Sequence, residues 1–227
     1  MRDKDHWYSY EPVKGHGLPH DPLSSIIGPR PIGWISTVGR NGANNLAPYS
    51  FFNLFNYTPP IIGFSSIEAK DTLRNVRETG VFVWNLATRE LAERLNQTSA
   101  PLRYGDSEFD VAGLTPLAAE FVDAPRVAES LVHCECRITD IQQLRTSGGA
   151  SIQTWLVLGE VVAVHISRRL LVDGLFDTFG AGVVLRAGGH DYALITPESR
   201  FVLRRPRSSL SAVIGAGERL VEDLFRS

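Results

Sequence analysis

GPRPIGWISTVGRNGANNLAPYSFFNLFNYTPPIIGFSSIEAKDTLRN, residues 28–75, is the stretch that decides how this chain is read. Ile32–Val38 and Ile61–Ser66 have the composition of strands. On the first, Trp34, Ser36 and Val38 fall on one face and Ile35 and Thr37 on the other. Gly39-Arg40-Asn41-Gly42 suits a hairpin turn, with Asn45–Phe52 as the return strand inside an apolar, hydroxyl-bearing segment, Ala47–Phe55. Thr58-Pro59-Pro60 interrupts the chain before the next strand. Lys70-Asp71-Thr72 then stands where a helix, Asp71–Glu78, is predicted to begin, with Gly80 as its C′ residue. An ammonium, a hydroxyl and first-turn amides at a helix N-terminus make a phosphate site. Ser36, Thr37 and Ser50 are further donors if their strands lie alongside, and Tyr49-Ser50-Phe51-Phe52 can form an apolar wall. A flat ring carrying a phosphate tail suits both halves. Taken alone, Lys70-Asp71-Thr72 is more simply a capped helix start on the surface.

Working outward, residues 1–27 are polar and rich in His, Pro and Gly, and read as a lead-in. Pro29 and Pro31 push the residues before them out of the α region, so Arg30 is held extended ahead of the first strand. That suits either an aimed guanidinium or a surface arginine. Downstream, Val81–Leu86 is strand-like and Arg89–Gln97 helical, with Leu91 and Leu95 on its inner side. Residues 99–126 are irregular yet long for a loop, which predicts a packed excursion or a partner-facing arm. Leu131–Leu144 and Ser151–Ile166 read as strands joined through Gly148-Gly149, followed by a weaker strand at Tyr192–Thr196. A tail, Ser208–Ser227, ends in an amphipathic run, Glu218–Phe225. Seven or so strands with only short helices argue for an antiparallel barrel, closed or nearly so, and against a doubly wound sheet.

Composition narrows the functional classes. The 227 residues are 43% hydrophobic and 21% charged, an ordinary globular balance. A net charge of −2 gives no reason to expect nucleic acid as a partner; the one basic cluster, Arg200–Arg207, reads as a solvated segment. Cys134 and Cys136 share one face of a strand, where a disulfide would be strained, so buried structural thiols in a reducing, cytoplasmic setting are expected. No apolar h-region opens the chain and no window of about twenty apolar residues occurs, so neither a signal peptide nor a membrane span is expected. Gly17 and Pro19 prevent the helix that would align His16 and His20, and no metal site is expected. Gly180-Ala181-Gly182 lacks the third glycine of a dinucleotide fingerprint.

The run PRPIGWISTVGRNGANNLAPYSFFNLFNYTPPIIGFSS, continued by KDTLRNVRETGVFVWNL, resembles the flavin reductase-like family with the FMN-binding split-barrel fold. The likeness continues through YGDSEFDVAGLTPL, LVHCECRI, LGEVVAVHI, LVDG and RAGGHDYALI, over roughly residues 20–196. It is strongest toward the branch of flavoredoxin and the flavin reductase component of nitrilotriacetate monooxygenase. The resemblance implies a homodimeric, six-stranded Greek-key split barrel over residues 20–198, with residues 1–19 as lead-in and 199–227 as an extension without counterpart. It places FMN at the dimer interface. Ser36-Thr37 and Ala47-Pro48-Tyr49-Ser50-Phe51 match segments that cradle the flavin, Ser65-Ser66 the strand end beneath the ring, and Lys70-Asp71-Thr72 the phosphate-binding turn. Arg30 and Asn45 lie in matching motifs as well.

Backbone amides on barrel strands can hydrogen-bond the polar edge of a flavin, which explains why the sequence shows no acid–base pair; the hydride chemistry belongs to the cofactor. The expected activity is NAD(P)H-dependent reduction of FMN, with NADH or NADPH as donor and a flavin-dependent monooxygenase as a partner. His165, within GEVVAVHIS, is a candidate for guiding the nicotinamide or a structural histidine. The competing expectations are a flavoredoxin-like FMN electron carrier and a barrel that binds no flavin.

Overall fold

The computed structural model describes residues 6–103 and 105–204. Its frame is a single sheet of seven strands: β1 (Gly33–Val38), β2 (Asn44–Tyr49), β3 (Phe52–Tyr57), β4 (Pro60–Ile67), β5 (Val81–Asn85), β6 (Val132–Arg145) and β7 (Ser151–Ile166). The order is β2-β1-β5-β6-β7-β4-β3, and every neighbouring pair is antiparallel. Strands β2 and β3 therefore hold opposite edges of the sheet, yet only Ser50 and Phe51 separate them in the chain. Flat, those edges would lie about 29 Å apart, whereas two intervening residues span at most about 11 Å. The sheet must curl into a barrel, and the Ser65 N–H on the Phe51 carbonyl at 2.8 Å carries the β3–β4 ladder on into the connection.

The sheet has one strand more than the six expected. The return strand stops at Tyr49, and Phe52–Tyr57 forms a strand of its own that pairs with β4 through a turn at Thr58-Pro59. Asn53, Asn56 and the two prolines hide that strand from a periodicity reading. The weak C-terminal strand is also one of a pair, β8 (Val184–Gly188) and β9 (Asp191–Leu194), which extends a short strand at Arg30–Pro31.

Helix α1 (Asp71–Thr79) plugs one side of the barrel. Leu73 and Val76, at i and i+3, are buried with Ile35, Phe64 and Phe82 from the strands, while Arg74, Arg77 and Glu78 face outward. Full burial of two such side chains is worth about 1.5–3 kcal/mol each. Gly80 ends the helix at φ 74°, its N–H on the Val76 carbonyl. Close packing inside the barrel also dictates Gly159: a Cβ there would lie 2.4 Å from the Phe82 ring.

A second core lies outside β1, where Trp34 and Leu46 meet Leu91 and Leu95 of the predicted helical segment, here a 3-10 turn, Arg89–Leu91, and α2 (Ala92–Gln97). Phe109, Leu114 and Val127 join them, so residues 99–126 are a packed excursion. Two buried polar residues tie that excursion to the barrel. Asn85 accepts the Val127 N–H at 2.8 Å. Glu135, fully buried, accepts the N–H groups of Glu120, Phe121 and Val122 at 2.9, 2.6 and 3.1 Å, and meets His165 Nε2 at 2.8 Å.

Cys134 and Cys136 are free thiols in or beside the core; burial pushes Cys134 up to about 12 and Cys136 well above its ordinary value. Among the described residues no helix is long and apolar enough to cross a membrane, and no cluster of metal-ligating residues occurs. Pro197–Arg204 belongs to a separate unit with a 3-10 turn at Pro197–Ser199. The run Glu218–Phe225 and the end of the basic cluster lie outside the described residues.

Burial works against the Glu135 charge, but the backbone N–H groups and His165 outweigh it and hold the carboxyl below its ordinary value. A carboxyl lowered in this way stabilises the fold at neutral pH, and the contribution disappears as pH falls through its native pKa. Glu135→Ala, which strips the N–H groups and His165 of their partner, should cost about 3–5 kcal/mol in denaturant unfolding at pH 7. Glu135→Gln should unfold with a shallower loss of stability between neutral and acidic pH. A loss below about 1 kcal/mol in the alanine variant would contradict the assignment.

Candidate functional site

A cavity of about 420 Å³ opens between β2, the start of α1 and the segment from Thr98 to Glu108. Asn45, Ala47, Pro48 and Tyr49 line it from the strand, and Lys70, Asp71 and Thr72 from the helix start. The chain reaches that start through a tight turn after β4. Glu68 adopts a left-handed conformation (φ 66°), its N–H bonded to the Gln153 carbonyl at 2.8 Å and its own carbonyl accepting Ser66 Oγ at 3.1 Å. Lys70 occupies the N-cap in an extended conformation, and no side chain caps the helix. A Ser, Thr, Asp or Asn at that position would normally take a first-turn N–H; here the N-cap side chain does not, and Lys70, Asp71 and Thr72 line the cavity.

Behind the cavity wall, Asn45 Nδ2 donates to Thr37 Oγ1 at 3.1 Å and to Thr72 Oγ1 at 2.9 Å, and Asn75 Nδ2 donates to the same Thr37 hydroxyl at 3.0 Å. These buried bonds lock β1, β2 and the first turn of α1 together. Tyr49 packs its ring 4.5 Å from that of Phe64; burial raises its phenol above the ordinary value, against the opposing Thr72 and Ser66 hydroxyls. Asp71 pairs with Arg74 at 3.4 Å.

Seven of the residues expected from sequence thus meet at one cavity: Asn45, Ala47, Pro48, Tyr49, Lys70, Asp71 and Thr72. The others stand elsewhere. Thr37 acts from behind, through Asn45 and Asn75. Ser36 is buried, its hydroxyl bonded to the Val83 and Pro125 carbonyls and accepting from Asn85 Nδ2, so it is no donor to this cavity. The Arg30 guanidinium bonds the carbonyls of Ser24, Ile27 and Ser50 and lies 5.6 Å over the Phe51 ring. It braces the barrel join rather than reaching into the cavity. Ser50 lines a neighbouring hollow of about 230 Å³, whose wall shares Pro48 and Ser99 with the first. Phe51 is half-exposed at the join, Ser65 lies on β4, and Ser66 lies beneath Tyr49. His165 is held by Glu135 and lies 3.7 Å from a Glu120 oxygen; it lines no part of the cavity.

The sequence reading missed the opposite wall, Thr98–Leu102 and Glu108. Thr98 is fixed by Trp34 Nε1 at 3.0 Å, and Glu108 accepts the Leu46 N–H at 2.9 Å. Burial, reinforced by Asp71, raises the Glu108 carboxyl above its ordinary value, while the Leu46 N–H opposes the shift. YGDSEFDVAGLTPL carries Glu108 and resembles a family segment, but nothing in its spacing shows that it folds back on β2.

Residues 27–180 match the flavin reductase-like domain family. The chain belongs to the flavin reductase-like family. Its relatives include an uncharacterised protein of Halalkalibacterium halodurans, 36% identical over 175 residues, which span 75% of this chain and 83% of that one. Among solved structures, nitrilotriacetate monooxygenase component B from Bacillus cereus superposes with a TM-score of 0.80 at 30% identity, covering 87% of this chain and 98% of the other. Flavoredoxin of Desulfovibrio vulgaris shares the fold, with a TM-score of 0.66 at 23% identity over 81% and 93% of the two chains. The expected split barrel is therefore the fold of this family member.

Asn45 is the joint on which the family member's cavity wall depends. Asn45→Ala should lower stability by about 1–3 kcal/mol, the cost of leaving buried hydroxyls unpaired. A double-mutant cycle with Thr72→Val should show coupling of at least about 0.5 kcal/mol. Additive effects would contradict the network.

Proposed function

We propose that this protein is an NAD(P)H-dependent FMN reductase and that the cavity holds the flavin's phosphate-bearing tail. The observation that carries the reading is the uncapped N-terminus of α1, with Lys70 and Thr72 beside it, opening into a cavity of about 420 Å³. A phosphate monoester needs several donors and a cation against a charge of about −1.5 to −2. The helix start supplies an ammonium, a hydroxyl and open amides, and its dipole adds about 0.3–1 kcal/mol. Ala47, Pro48 and Tyr49 give the apolar wall along which the tail leads to the ring, and the volume lies within the range of cofactor sites. The residues present fit FMN.

Bound flavin supplies the redox chemistry, accepting hydride from a nicotinamide. The chain's contribution is binding and orientation. Lys70, Thr72 and the helix amides grip one end of the cofactor. The Asn45–Thr37–Asn75 bonds would keep that grip in register with β2 and so orient the cofactor. In this reading Lys70, Asp71, Thr72, Asn45, Ala47, Pro48 and Tyr49 contact the flavin, while Thr37, Ser66 and Arg30 position those that do. A second copy of the chain covers the exposed apolar residues of β3, Leu54, Phe55 and Tyr57, which sit beside Phe51 at the barrel join. The protein works in the cytoplasm, where its free thiols persist. The Bacillus cereus neighbour, named as a monooxygenase component, supports delivery of reduced flavin to a separate oxygenase.

Purified protein should oxidise NADH or NADPH only when FMN is present. Lys70→Ala and Thr72→Ala should each weaken FMN binding by about 1–3 kcal/mol in a fluorescence titration. Tight, non-exchanging FMN without nicotinamide turnover would instead identify an electron carrier. Unchanged affinity in both variants would remove the phosphate assignment.

A further inference from the structure

Three charged side chains line the cavity, and their sum decides what it can admit. Lys70 contributes one positive charge, and Asp71 and Glu108 one negative charge each when ionised. Arg74 stands 3.4 Å from Asp71 and offsets its charge, so an ionised Glu108 cancels the Lys70 charge that a phosphate, itself close to a dianion, would otherwise meet. With Glu108 protonated the Lys70 charge stands unopposed, and the carboxylic acid gains an O–H donor.

Glu108 is built for that exchange. It is 8% exposed, its Oε2 accepts the Leu46 N–H at 2.9 Å, and its carboxyl also accepts its own backbone N–H. It faces α1 across the cavity, where Lys70 and Asp71 stand, and β2, which presents Tyr49. Residues 98–102 bring no titratable group; Arg103, Asp106 and Asp110 lie on the same segment as Glu108. Burial and the nearby Asp71 raise its carboxyl above the ordinary value, against the Leu46 N–H and its own backbone N–H.

We propose that Glu108 receives the phosphate end of FMN as a neutral acid, so that binding the flavin takes up one proton from solvent. This rests on the reading of the cavity as the site of the flavin tail. The proton passes from solvent to the Glu108 carboxyl, whose new O–H then donates to a phosphate oxygen; no bond between heavy atoms changes. Riboflavin, which has the same ring and ribityl chain but no phosphate, places no such demand on Glu108.

Isothermal titration of the full chain with FMN at pH 8, in two buffers of different ionisation enthalpy, counts the protons directly. The phosphate is already dianionic at that pH and contributes little. Wild-type protein should take up close to one proton per FMN and close to none per riboflavin; Glu108→Gln should take up close to none with either. Between pH 7 and 9 the wild-type affinity for FMN should fall by up to about tenfold per pH unit, and that of Glu108→Gln should stay flat. Equal proton uptake for FMN and riboflavin in wild-type protein overturns the proposal, and that comparison stands even if the variant misfolds. Equal uptake in wild type and a folded Glu108→Gln also overturns it. FMN affinity left unchanged by both Lys70→Ala and Thr72→Ala overturns the flavin-tail reading, and this inference with it.

Discussion

Ser50 and Phe51 are the only residues between two strands on opposite edges of a seven-stranded sheet, and the rest of the structure follows from that short connection. The sheet cannot stay open with its edges so tethered. Once it curls, the end of β2 lies against β4, Tyr49 packs on Phe64, and the turn that leaves β4 delivers the first residues of α1 to the same place. The cavity is thus a consequence of barrel closure. Arg30 reinforces the join by bonding the Ser50 carbonyl and covering Phe51, which explains a cation at that position without giving it a ligand.

Two buried glutamates show how placement sets the chemistry of a single side chain. Glu135 meets three backbone N–H groups and an imidazole, and these favour the charged form strongly enough to outweigh burial. Glu108 meets two N–H groups, of Leu46 and its own backbone, and no imidazole, and it looks toward Asp71, so burial prevails and the neutral form gains. The first anchors the packed excursion, and the second lines the cavity. His165 belongs to the anchoring set, which accounts for a histidine on β7 that lines no part of the cavity.

Much of this is legible in the amino-acid sequence. Strand periodicity, the Gly39–Gly42 turn and the Lys70-Asp71-Thr72 helix start are local signals, and the structure bears them out. The strand Phe52–Tyr57 was not legible, because its asparagines and the following prolines have turn composition and only pairing with β4 makes it a strand. Ser36 and Thr37 are adjacent hydroxyls on one strand, so pattern alone gave both the same role. The pleat sends Ser36 toward Asn85 and Pro125 and Thr37 toward Asn45 and Asn75. The wall from Thr98 to Glu108 was hidden for a different reason. Its approach to β2 depends on contacts across more than sixty positions of sequence, such as Leu46 with Glu108 (|i−j| = 62), and no window of local composition reports those.

The most direct measurement is a crystal structure of the protein grown with FMN. The account predicts the phosphate at the start of α1, with Lys70 Nζ, Thr72 Oγ1 and first-turn amides within hydrogen-bonding distance, and the tail running along Ala47–Tyr49. A phosphate bound anywhere else, with the cavity beside Lys70 filled only by water, would contradict it.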